Sequence, residues 1–182
     1  MADVLWAPWR MDYIKNVSDG PKECFLCALA TAPQRDEENL VIARSPFGAL
    51  LLNRYPYVHG HLLIAPYRHV ADLTGLAPAE RAEMMELLMH AQRLLGDVMN
   101  PQGYNIGMNL GRCAGAGVPG HVHMHIVPRW NGDVNFMAVI GQVHVIPQAM
   151  EESYRQLSAA HRKLVRGAAN QDKDGRTANG VL

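Results

Sequence analysis

The spacing of apolar and polar residues changes period several times along this chain, and each change marks an element. Leu40-Val41-Ile42-Ala43, Ala49-Leu50-Leu51-Leu52-Asn53 and His61-Leu62-Leu63-Ile64-Ala65-Pro66 are short apolar runs. Runs of that length bounded by turn residues read as buried strands, and Ser45-Pro46-Phe47-Gly48 makes the first two a hairpin. From Pro78 the period becomes helical. Met84, Leu87, Leu88, Ala91, Leu94, Leu95 and Val98 recur at steps of three and four, and Asn100-Pro101 stops the pattern after Met99. Pro78 suits a first helical position, and Glu80 and Glu83 lie near the positive end of the dipole. Tyr104 to Gly111 alternates again as a strand, with Ile106, Met108 and Leu110 on one face and Asn105, Gly107 and Asn109 on the other. His121-Val122-His123-Met124-His125-Ile126-Val127-Pro128 alternates imidazole with apolar residue for three periods. On a strand this puts all three imidazoles on one face, roughly 7 Å apart, and turns Val122, Met124 and Ile126 into a core. Two more strands are expected at Phe136–Ile140 and Val143–Ile146, then a second amphipathic helix from Gln148 to Arg166.

The ends differ from this middle. Residues 5–14 carry Trp6, Trp9 and Tyr13 as an aromatic arm suited to packing on the domain or on a second subunit. Residues 167–182 are polar and aperiodic, and are expected to be disordered. The expectation is therefore one domain over 1–166, including an N-terminal arm over 1–22.

Composition narrows the function little but excludes some classes. The 182 residues are 48% apolar and 19% charged, with a formal net charge of zero. This gives no global electrostatic case for nucleic acid. The opening residues show no basic start followed by a long apolar run, and no run of about 18 apolar residues occurs, so neither a signal peptide nor a membrane span is expected and the cytoplasm is the default compartment. Three cysteines do not make a disulfide framework.

Chemistry concentrates in three places. Cys24-Phe25-Leu26-Cys27 either aims two thiolates at one tetrahedral ion or buries two small apolar residues. A redox pair would want a βαβ context that is missing. The glycine-rich run Gly111 to Gly120 feeds the histidine strand, and its backbone N–H groups could cradle an anion. It lacks the Lys-Ser/Thr ending of a P-loop. The histidine strand could place three imidazoles on one catalytic metal, or use one as a nucleophile toward phosphorus. No Asp or Glu lies between Asp97 and Asp133, and this absence of carboxylate ligands, with the glycine-rich loop, favours the nucleophile. Alone, His69 reads as an ordinary polar histidine, and Cys113 as incidental.

The run from His121 to Val127 resembles the signature of the histidine triad family of nucleotide hydrolases and transferases. Leu5 to Ile14, Leu52 to Tyr57, Asn105 to Gly111 and Val127 to Phe136 look like its bacterial diadenosine tetraphosphate phosphorylase (ATP adenylyltransferase) branch. The resemblance spans roughly residues 5–155. It implies an α+β fold, an antiparallel sheet with one long and one C-terminal helix, in a homodimer.

By position the resemblance makes His123 the nucleophile, carrying AMP as a covalent intermediate, and His125 the contact to phosphate and leaving group. It makes Asn53 the ribose ligand, Asn109 a polar contact ahead of the cradle, and Gly115, Ala116, Gly117 and Val118 the phosphate-binding backbone. Many members have Ala-Gly-Gln-x-Val where this chain has Ala114-Gly115-Ala116-Gly117-Val118, so side-chain contacts from the loop are not expected here. Members with Cys-x-x-Cys hold a structural zinc ion, which implies Zn²⁺ on Cys24, Cys27, His69 and His121. The implied ligand is an adenine nucleotide or dinucleoside polyphosphate, cleaved by phosphate or water. A phosphoramidase acting on AMP–amine conjugates and a nucleotide sensor without turnover are the alternatives.

Overall fold

The protein is seen here in a computed structural model that describes residues 24–133, 146 and 148–175. Among these residues five antiparallel strands form one sheet: β1 (Val41–Arg44), β2 (Gly48–Leu52), β3 (Leu62–Pro66), β4 (Gly103–Gly107) and β5 (Met124–Arg129), in the order β1-β2-β3-β5-β4. The hairpin and the buried third strand lie where the apolar runs place them, and every residue of β2 and β3 is buried. That is the burial expected of strands with no polar alternation, covered on both faces.

Among the described residues three α-helices accompany the sheet: α1 (Phe25–Thr31), α2 (Pro78–Met99) and α3 (Met150–Gly175). The main core packs Ile42, Leu50, Leu52, Ile64, Met124 and Ile126 of one sheet face against Met84, Leu87, Leu88, Ala91, Leu94 and Leu95 of α2 and Leu157 of α3. On the opposite face Val41, Ala49, Leu51, Leu63 and Ala65 pack with Leu26 and Leu29 of α1. Helix α2 starts where the Glu80 carboxylate accepts the Ala77 N–H at 2.7 Å. It ends at Asn100, whose φ of 46° is the left-handed cap that stops a helix. Among the described residues no helix is long and apolar enough to cross a membrane.

Four expectations need correction, and others fall outside the described residues. β4 ends at Gly107, so Met108 to Gly111 lie beyond the ladder. β5 begins at Met124, so His121 and His123 precede it; the Val122 N–H bonds Val70 O at 2.7 Å instead of a strand partner. Ile106 and Leu110, placed on one face by their alternation, are 48% and 41% exposed, because among the described residues β4 has β5 on one side only. α3 continues past Arg166 to Gly175, so part of the segment expected to be disordered is helical. Its lack of apolar periodicity hid good helix formers (Ala168, Ala169, Gln171, Lys173). The aromatic arm over 1–22 lies outside the described residues, as do the strands expected at 136–140 and, save Ile146, at 143–146.

Candidate active site and metal centre

The sheet register aligns one row of residues across the molecule. Val41 faces Leu51, Leu51 faces Leu63, Leu63 faces His125, and His125 faces Gly107 on β4. Residues paired across strands share a face, so the face packed by α1 becomes polar at β5. His123 and His121 continue along that face.

Cys24, Cys27, His69 and His121 offer ligand atoms that all lie within 4.8 Å of one another. Cys24 precedes α1, and the Cys27 N–H bonds Cys24 O at 3.0 Å, so one helical turn sets both sulfurs side by side. His69 follows β3. The Val122–Val70 backbone bond brings it beside His121, and Gly120 makes room: a Cβ there would meet His69 Nε2 at 3.0 Å. Sulfur-to-Nδ1 distances are 3.4 Å from Cys24 and 3.5 Å from Cys27 to His121, and 3.2 Å from Cys27 to His69. An ion about 2.3 Å from sulfur and about 2.0 Å from nitrogen gives tetrahedral S–N edges of about 3.5 Å, so the set fits zinc. His121 Nε2 donates to Pro66 O at 2.8 Å, which leaves its Nδ1 lone pair facing the sulfurs. Burial, and then Cys24, pushes the Cys27 thiol up. A bound cation acts the other way, since a coordinated thiol is deprotonated.

The second cluster is built on tautomers that the backbone dictates. A carbonyl only accepts and an amide N–H only donates. His123 Nδ1 lies 2.9 Å from His121 O and therefore carries the proton, leaving a lone pair on Nε2. Tyr57 N–H donates to His61 Nδ1 at 3.1 Å, so the His61 proton sits on Nε2. That Nε2–H donates to His125 Nδ1 at 2.9 Å, and the proton of neutral His125 is consequently on its own Nε2. This atom is buried with no partner among the described residues. The rings of His123 and His125 are 5.0 Å apart, and Tyr57 lies over His125 at 5.9 Å with an interplanar angle of 20°.

Burial keeps these imidazoles neutral. It pushes His61 down to about 3, helped by His125 and His123, and His125 down to about 4, helped by His123. His123 is lowered by burial too, against the opposing pull of the His121 carbonyl.

The remaining candidates are placed unevenly. Asn53 is already engaged: Oδ1 accepts the Tyr55 N–H at 3.0 Å, and Nδ2 lies 3.1 Å from the His61 Nδ1 acceptor. One amide hydrogen is left for a ligand. Asn109 stands half-buried two residues past β4. In the glycine-rich loop, Gly115 N–H bonds Arg112 O at 2.9 Å and Ala116 N–H bonds Gly111 O at 3.2 Å. The expected four-residue cradle is thus reduced to the Gly117 and Val118 amides. The residue that sequence reasoning missed is His61. Its one signal is a polar residue opening an otherwise apolar run; its partner His125 is 64 positions away, and only the β3–β5 register joins them.

Comparison with known proteins agrees with this architecture. The HIT domain pattern matches residues 34–132. AP-4-A phosphorylase of Mycobacterium tuberculosis (strain H37Rv) is 42% identical over 163 residues, covering 85% of this chain and 82% of that protein. The asymmetrical bis(5'-nucleosyl)-tetraphosphatase of Schizosaccharomyces pombe is 36% identical over 93 residues, covering 51% of this chain and 50% of that protein. A solved zinc-bound histidine triad family protein from Mycobacterium smegmatis superposes with a TM-score of 0.64 at 29% identity, covering 81% of this chain and 99% of that one.

Proposed function

This chain belongs to the HIT domain family, and from that premise we propose that it cleaves dinucleoside polyphosphates of the diadenosine tetraphosphate type through a nucleotidyl-histidine intermediate. The observation that carries this reading is the complementary pair of tautomers. His123 presents a lone pair at Nε2, and His125, one period along, presents an N–H at Nε2. The first is what a nucleophile needs and the second what a departing oxygen needs.

His123 Nε2 attacks the α-phosphorus. A P–N bond forms, the P–O bond to the rest of the polyphosphate breaks, and the leaving oxygen departs as an anion that accepts a hydrogen bond from His125 Nε2–H. Phosphate or water then attacks phosphorus, the P–N bond breaks, His123 regains its lone pair, and the proton of the attacking oxygen is released to solvent. Asn53 meets the ribose with its remaining N–H, Asn109 meets phosphate ahead of the loop, and Gly115 to Val118 meet it with the Gly117 and Val118 amides. Cys24, Cys27, His69 and His121 would hold a zinc ion. With four protein donors such an ion would be structural, and His121, so fixed, would steady His123 two residues on. A second copy of the chain covers the β4 edge with its exposed Ile106 and Leu110, giving a homodimer. Sedimentation as a dimer supports that assignment and sedimentation as a monomer overturns it.

Product analysis with diadenosine tetraphosphate tests the activity. ADP plus ATP forming only when phosphate is present makes the protein a phosphorylase, and AMP plus ATP a hydrolase; the relatives' names favour the first over the longer match. No cleavage under either condition overturns the reading.

A further inference from the structure

Tyr57 is a large aromatic residue that serves neither core. It is 45% exposed, and neither apolar cluster of the described residues includes it. Its ring meets imidazoles instead. The centroid lies 4.6 Å from that of His61 at an interplanar angle of 40°, and 5.9 Å from that of His125 at 20°. Aromatic rings attract at such separations, and a near-parallel, offset arrangement like the one over His125 is favoured. His61 and His125 are themselves 5.1 Å apart, so the three rings form one group. His61 is wholly buried, and Tyr57 is the outer member.

The loop that carries Tyr57 is fixed at both ends. Asn53 N–H donates to His61 O at 2.9 Å and closes the connection between β2 and β3. Tyr55 N–H donates to Asn53 Oδ1 at 3.0 Å, and Pro56 restricts both its own φ and the backbone of Tyr55. At the far end Gly60 has a φ of 75°. A Cβ there would meet Met99 Sδ at 2.5 Å and Pro128 Cγ at 3.2 Å, so the turn is wedged between the end of α2 and β5. A side chain on so constrained a loop keeps its place without being buried. The Tyr57 N–H is also the donor to His61 Nδ1, so backbone and ring of one residue act on the same imidazole pair.

That pair works only while its internal hydrogen bond is kept. His61 Nε2–H meets the Nδ1 lone pair of His125 at 2.9 Å. Water reaching either atom competes for the bond and frees the His125 ring to turn, and Nε2 then no longer points where a leaving oxygen needs it. A flat ring laid against both imidazoles closes that route.

We propose that Tyr57 is a positioning residue for the departing group: its ring covers the His61–His125 hydrogen bond, and its amide fixes the proton that starts it. The proposal rests on the reading of His125 given above, in which Nε2–H stabilises the leaving oxygen.

Two readouts on the full-length protein test it. Proton NMR without substrate follows His61 Nε2–H, an imidazole N–H visible only while shielded from exchange with water and assigned by its absence in His61→Asn. Initial rates with diadenosine tetraphosphate, phosphate present, give kcat and KM separately. Tyr57→Ala removes the ring and keeps the amide. It is expected to lose the resonance and to lower kcat about ten-fold or more, with KM within about three-fold, because the contact to the leaving oxygen is made in the transition state. Tyr57→Phe keeps the ring and should retain both. Tyr57→Ser is the ringless variant should alanine fail to fold. A ringless variant that keeps the resonance, or that loses it at wild-type kcat, overturns the proposal. So does a Tyr57→Phe protein that fails as Tyr57→Ala does, or an unmodified protein without the resonance. The resonance is scored apart from turnover. Its dependence on the ring in a protein without any activity upholds Tyr57 as the cover of the pair and removes the enzymatic reading.

Discussion

Two histidine clusters share one face of the sheet, only two residues apart on the chain, yet they are organised in opposite ways. Around His121 four donor atoms converge within 4.8 Å. Around His125 the imidazoles are strung in a line, each nitrogen assigned by the one before, until the last has no partner among the described residues. Histidine is common to both, so residue type does not decide the outcome. The second nitrogen does. In His121 a carbonyl takes the Nε2 proton and turns Nδ1 toward two sulfurs; in His123 a carbonyl takes the Nδ1 proton and turns Nε2 outward. A convergent cluster suits an ion held for stability, and a chain with an unsatisfied end suits a reacting ligand.

The largest effect that could break this contrast is on turnover. His123→Ala is expected to lower kcat by three orders of magnitude or more, as removal of a covalent nucleophile does. Bound zinc and thermal stability should stay near wild type, because the convergent cluster does not use that ring. A variant that keeps substantial turnover removes His123 as the nucleophile; one that loses its metal shows the two clusters to be one unit.

The reciprocal change should be smaller in rate and larger in stability. Cys24→Ser with Cys27→Ser is expected to abolish stoichiometric zinc and lower the melting temperature by several degrees. At this chain length about 1 kcal/mol corresponds to roughly 2–4 °C. Turnover of the fraction that remains folded should fall far less than in His123→Ala. Metal analysis and calorimetry on the same preparation read both quantities, and zinc retained at full occupancy would sink the assignment of the cysteines.

How much of this was legible beforehand follows the range of the forces involved. Helix α2 is readable to its ends because its signals are local: Pro78 at the start, an apolar stripe, and Asn100-Pro101 at the stop. The face shared by His121, His123 and His125 is likewise local, being a matter of period two. The length of β5 was overread, since Val122 takes its backbone partner from the segment after β3 and not from a strand. The spent amides of Gly115 and Ala116 were hidden as well, because a glycine-rich run does not reveal which of its N–H groups close its own turn. His61 was least accessible of all. Nothing in a run of apolar residues says that a strand will place an imidazole against it from 64 residues later.

That same histidine carries the finest distinction between the clusters, and pH is the way to reach it. His61 and His125 titrate at about 3 and about 4 in the folded protein, and near 6.5 once unfolded. Between those values the unfolded chain binds more protons than the native one, so stability rises with pH and is fully present above about 6.5. It is lost progressively as pH falls toward 4. Acid also competes for the ligands of the convergent cluster, so the curve of the unmodified protein alone mixes the two effects. His61→Asn separates them: the metal ligands are unchanged, while one depressed imidazole is gone. Melting temperature measured from pH 7 to pH 4 should fall less steeply in that variant, whatever its absolute stability. Parallel curves would mean that His61 is not held neutral by its burial against His125, and the tautomer chain that distinguishes this cluster would lose its first link.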